Sequence, residues 1–183
     1  MKGVRLIGAV IVGGLILSAC SSSTPSSSST TSGSGSSTTT TTTAPSTAGS
    51  GTGGAAVSTV WPSCCAANLI AIGTAAQAVG NDVTQIGKNN GNGSTAQLVK
   101  DLGTFESAVS AGAQAASTAV SQVSNAALTS YNTALSELHT AVSRAASACS
   151  TTSNSCVNDI QTIDTKLSAV NTTATQLNAQ MAS

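Results

Sequence analysis

From Trp61 to Met181, apolar residues recur at alternating steps of three and four, the spacing that lines one face of an α-helix. Four stripes can be read. The first runs Cys65, Leu69, Ile72, Ala76, Val79, Val83, Ile86, and the second Leu98, Leu102, Phe105, Val109, Gly112, Ala116, Ala119, Val123. The third is Leu128, Tyr131, Leu135, Leu138, Val142, Ala145, Cys149, and the fourth Cys156, Ile160, Ile163, Leu167, Val170, Ala174, Leu177, Met181. No stretch alternates with period two, so strands are not expected.

The residues between the stripes predict where helices start and stop. Pro62-Ser63 predicts the start of the first helix, with Ser63 as N-cap. Gly87 marks its end, and the NNGNG run from Asn89 to Gly93 predicts a loop. Ser94 to Gln97 has capping-box spacing, and Ser155 offers an N-cap to the fourth helix. Neither Gly nor Pro separates the second and third stripes. A fused helix there would run about 55 residues, roughly 80 Å, against sister helices of roughly 35 to 45 Å. Matching lengths therefore predict a turn at Ser124-Asn125. The expected fold is all-α: an antiparallel up-down-up-down four-helix bundle over residues 55–183, large enough for one core.

Residues 20–54 have a different character. Of the thirty from Ser21 to Ser50, twenty-three are Ser or Thr, which leaves no apolar surface to offset chain entropy, so this segment is expected to be a disordered tether. As a coil it would reach roughly 30 Å. Thr runs beside Pro45 suit an O-glycosylated stalk as well as an unmodified spacer.

Before the tether stands a leader. Lys2 and Arg5 give it a positive start, and Leu6 to Leu17 form an uncharged run of twelve residues, too short to span a bilayer. Leu17-Ser18-Ala19-Cys20 follows. This arrangement resembles a bacterial lipoprotein signal, which implies that residues 1–19 are removed and that Cys20 is acylated. The leader, the tether and a sparsely charged Ala/Thr/Ser-rich domain together resemble the envelope lipoproteins of high-GC Gram-positive bacteria, with mycobacterial envelopes the typical setting. The resemblance implies a protein held at the outer face of the cell membrane by its lipid.

Charge narrows the range of partners. Without the leader, four basic side chains remain (Lys88, Lys100, Arg144, Lys166) against six acidic ones, a formal charge of −2. There is no basic stripe with which to bind nucleic acid, and no polybasic patch for lipid headgroups. The expected partners are the membrane, through the anchor, and an envelope protein or wall component.

Four cysteines remain after Cys20, and an exported chain with an even number is normally oxidised. Cys149 closes the third stripe and Cys156 opens the fourth, so a disulfide between these neighbouring ends is the preferred pairing. Cys64 and Cys65 leave three options: a bond between adjacent residues, free or intermolecular thiols, or cross-pairing with Cys149 and Cys156. Their spacing is wrong for zinc, and no metal site is expected.

Little in the chain suggests catalysis. His139 is the only histidine, and no G-x-S-x-G elbow accompanies it. Glu137 and His139 are two residues apart, not the Glu-x-x-His of di-iron bundles. Asp159 and Asp164 lie off the apolar stripe and are expected to be solvated. No catalytic residue and no cofactor are expected. The leading functional expectation is a non-enzymatic binding or structural domain. The alternative is a carrier of a small apolar ligand or haem, with a cavity bordered by Ala76, Gly112, Ala116 and Ala145, and Tyr131 and His139 as conceivable haem ligands.

Overall fold

The computed structural model describes residues 53–89, 95–151 and 155–181, which all belong to one compact unit. The expected signal peptide, the expected lipidation site Cys20 and the expected tether as far as residue 52 lie outside the described residues. The described elements are α1 (Gly53–Trp61), a π-helical turn (Pro62–Ala66), α2 (Ala67–Lys88), α3 (Thr95–Gln122), α4 (Ala126–Ser150) and α5 (Ser155–Met181). No strand occurs among them, as the periodicity requires.

The first helix starts earlier than the sequence predicts. It begins at Gly53, inside the segment assigned to the tether, and runs through Pro62, so that position 63 falls within the π turn and not at a helix start. Backbone angles stay helical across both junctions, with Trp61 at φ −55°, ψ −48° and Ala67 at φ −65°, ψ −40°. Two physical terms explain the extension. Val57 and Trp61 carry the apolar stripe upstream and are buried at 0% and 2% exposure. Burying two such side chains contributes roughly 1.5–3 kcal/mol each, enough to offset the ~3 kcal/mol that an interior proline costs. A π turn also reaches its acceptors one residue further back, loosening the spot where a proline ring would meet the preceding turn.

The remaining boundaries fall close to expectation. α2 runs one residue past Gly87, and Asn89 closes it by donating its backbone N–H to the Gln85 carbonyl. The unmarked break between the second and third stripes is real. Residues 123–125 leave the helix, Asn125 adopts φ −139°, ψ 129°, and its side chain accepts a hydrogen bond from the Leu128 amide at 3.0 Å. That is an N-cap, so one asparagine does the work that Gly or Pro does elsewhere. α5 starts at Ser155 itself.

Four long helical segments pack together, the first of them α1, the π turn and α2 in succession. α2 lies on α3, α3 on α4 and α4 on α5, while α1 also reaches α5. The stripes form the core: every member of the third is buried, and in the others only Leu69 and positions near the helix ends, such as Val83, Ile86 and Val123, are half-exposed. Among the described residues no polar or charged residue is buried as a whole; the buried side-chain oxygens without a hydrogen-bond partner are the Tyr131 hydroxyl and Asp82 Oδ2. Gly112 lets α2 and α3 approach closely, since a Cβ there would stand 3.0 Å from Ile72 Cδ1 and 3.8 Å from Leu135 Cδ1. The space beside this glycine is filled by side chains.

Candidate functional site

Both cysteine pairs are at bonding distance. Cys149 and Cys156 join the end of α4 to the start of α5 with Cα atoms 4.7 Å apart, as the stripe ends predict. Cys64 bonds to its neighbour Cys65, the first of the three options open from sequence. Both lie in the π turn, with Cys65 buried in the core and Cys64 half-buried.

Beside this turn, Trp61 meets Tyr131 of α4 edge to face, with ring centroids 5.0 Å apart at 75°. Such pairs contribute about 0.5–1.5 kcal/mol beyond the area they bury. Tyr131 is wholly enclosed, and its hydroxyl has no hydrogen-bond partner among the described residues. Burial pushes that hydroxyl well above the ordinary tyrosine range, so it stays protonated.

His139 lies on the rim between α3 and α4, as its place beside the third stripe suggests. Its Nε2 is 3.9 Å from Glu106 Oε1, too long for a hydrogen bond, and both side chains are more than a third solvent-exposed or close to it. It borders an open groove of about 410 Å³ with Ser110, Gln114, Ser117, Asn132 and Ser136. The Ser136 hydroxyl donates to the Asn132 carbonyl at 3.0 Å, so it is not directed at the imidazole. Among the described residues the amide side chains of Gln114 and Asn132 make no hydrogen bond, which leaves the groove with uncommitted donors and acceptors.

One carboxyl pair was not singled out by sequence reasoning. Asp82 of α2 faces Asp101 of α3, whose carboxylate also accepts from Gln97 Nε2 at 3.0 and 3.1 Å. Partial burial, then the hydrogen bond and charge of Asp101, raise the Asp82 carboxyl above its ordinary value. Both residues lie near the loop joining α2 and α3, and only a bundle register could have predicted that they meet. Asp164 is exposed, as expected, whereas Asp159, beside the buried Ile160, is half-buried.

No group of three or more His, Cys, Asp or Glu side chains gathers among the described residues, and no described helix is long and apolar enough to cross a membrane. No protein family, curated protein or solved structure matches the chain.

Proposed function

We propose that this chain is a lipid-anchored envelope protein whose non-enzymatic helical domain binds a partner outside the membrane. The observation that carries the reading is the leader: a positive start, twelve uncharged residues, and Leu17-Ser18-Ala19 before Cys20. On this reading Cys20 holds the lipid and the Ser/Thr-rich segment sets the domain off from the membrane surface.

The domain itself is an antiparallel up-down-up-down bundle in this proposal, supported by the register of its contacts. Asn125 meets Gln180, Glu137 meets Lys166 and Cys149 meets Cys156, so numbers rise along α4 as they fall along α5. Glu106 with His139 and Gly112 with Leu135 do the same for α3 and α4, and Ile72 with Gly112 and Asp82 with Asp101 for α2 and α3. The close packing at Gly112 favours a surface binder over a carrier with a cavity there. The groove between α3 and α4 is the binding face, recognising an envelope protein or wall component through short hydrogen bonds.

Two measurements test this. Intact-mass analysis of the mature protein should find an N-terminal diacylated Cys20, absent from Cys20→Ala; an unmodified cysteine would remove the anchor. Crosslinking in the native envelope should capture a partner that Gln114→Ala with Asn132→Ala loses. Capture unaffected by that double variant would take the groove out of the function and leave the anchor standing.

A further inference from the structure

We propose that Cys64–Cys65 is a redox-active disulfide, a thiol–disulfide exchange site for a dithiol reductant that resets the packing around Trp61. This stands apart from the anchoring and the groove. The two disulfides do different physical work. Cys149–Cys156 ties α4 to α5, closing the turn between two helices. Cys64–Cys65 joins sequence neighbours, closes no loop and links no two helices, so the chain-entropy benefit of cross-linking is small. Its effect is local. It sits in the π turn that interrupts an otherwise α-helical rod, a type of turn that recurs at functional sites.

The neighbourhood suits both oxidation states. Cys64 is half-buried and reachable from outside, whereas Cys65 faces the core at 1% exposure. As a free thiol, Cys65 is a small apolar group that such a core accepts. Cys64 Sγ lies 3.7 Å from the Trp61 carbonyl oxygen. Oxidised, that sulfur has no proton to donate; reduced, it has a ready acceptor, which couples the thiol to the residue carrying the Trp61–Tyr131 contact.

The exchange balances. A thiolate of the dithiol attacks Cys64 Sγ, the S–S bond breaks, and the Cys65 sulfur leaves with the bonding pair and takes up a proton. The second thiol of the reductant then attacks its own sulfur in the mixed disulfide and releases Cys64, which is protonated in turn. The protein gains two electrons and two protons, and the reductant departs as a cyclic disulfide.

The test uses the full mature chain in detergent, stepwise dithiothreitol, rapid alkylation and peptide mass analysis. Trp61, the only tryptophan, reports by fluorescence because a disulfide in its vicinity quenches indole emission. Cys64 and Cys65 should become alkylated while helical circular dichroism is retained, with a gain in emission that oxidised dithiothreitol reverses. Cys149→Ala with Cys156→Ala should keep this response, and Cys64→Ser with Cys65→Ser should lose it. Protection of Cys64 and Cys65 until the helices melt, or reduction without any change in emission, would overturn the proposal.

Discussion

Adding one methyl group at Gly112 probes a close approach of α2 and α3 in the core. Gly112 and Gly103 both lie inside α3, so replacing either with alanine gains a similar helix-propensity term of about 0.8–1 kcal/mol. Their surroundings differ. A Cβ at position 103 meets nothing within 4 Å, whereas at position 112 it stands 3.0 Å from Ile72 Cδ1. Ile72 is fully buried and has no solvent to retreat into. Overpacking of this kind costs about 1–3 kcal/mol, so Gly112→Ala should lose roughly 0–2 kcal/mol net while Gly103→Ala gains about 0.5–1 kcal/mol. Shortening the opposing side chain supplies the control. Ile72→Val alone should cost about 0.5–1.5 kcal/mol, and combined with Gly112→Ala it should cost less than the sum of the two, since the clashing Cδ1 is gone. Urea melts followed at 222 nm give all four free energies. For a domain of this size each kcal/mol is also about 3–5 °C in melting temperature. Equal stabilisation by Gly112→Ala and Gly103→Ala would refute the close approach of α2 and α3.

Other substitutions test separate parts of the fold. Leu138→Ala, at a site with no solvent exposure near the middle of α4, should cost about 2–5 kcal/mol in the same melts; an unchanged curve would refute the heptad register. Asn125→Ala removes the N-cap of α4 and should cost about 0.5–2 kcal/mol, with Asn125→Asp retaining most of the cap. Asp82 carries a pH prediction. Its carboxyl is raised in the folded state, so its favourable protonated contribution is complete below the unfolded value of 3.8 and is lost as pH rises through the folded value. Asp82→Asn should therefore match the native chain in acid and exceed it in thermal stability at neutral pH. A constant difference from acid to neutral pH would exclude a raised Asp82 carboxyl, and salt should narrow only the part of the gap that comes from the charge of Asp101.

Where burial sets the pattern, the fold was legible in the sequence. Leu135, Leu138 and Val142 fall on the third stripe because a helix that buries one face must repeat its apolar residues near 3.6, and all three are enclosed. The turn before α4 was legible from length matching, although its cap at Asn125 carries no Gly or Pro signal. The start of the first helix was misplaced because proline is a strong local stop, and only tertiary burial of Val57 and Trp61 overrides it. A stripe begun at Val57 instead of Cys65 would have shown the extension. The Cys64–Cys65 bond stood among the open options, but the π turn that holds it has no sequence signature. The groove and the Asp82–Asp101 pair join residues from different helices, so they require a register that periodicity within one helix does not supply.

The same composition that makes the core small-grained also determines what the exterior can recognise. Along the long helices, exposed hydroxyls donate to the carbonyl four residues back, as Thr74 does to Ile70, Thr118 to Gln114, Thr140 to Ser136 and Thr162 to Asn158. Each such bond uses the hydroxyl's single proton within its own helix and turns methyl groups and acceptor lone pairs toward solvent. Charge adds little: the Lys166–Glu137 pair at 2.8 Å is exposed on both sides, a setting worth about 0–1 kcal/mol. A surface of this kind neither steers a charged partner from a distance nor offers many donors at contact. Recognition then falls to groups that are not already bonded to their own helix. The side-chain amides of Gln114 and Asn132 meet that condition on facing helices, with His139 on the same rim. That is the physical reason for placing the proposed binding face between α3 and α4 and not on the Thr-lined outer surfaces.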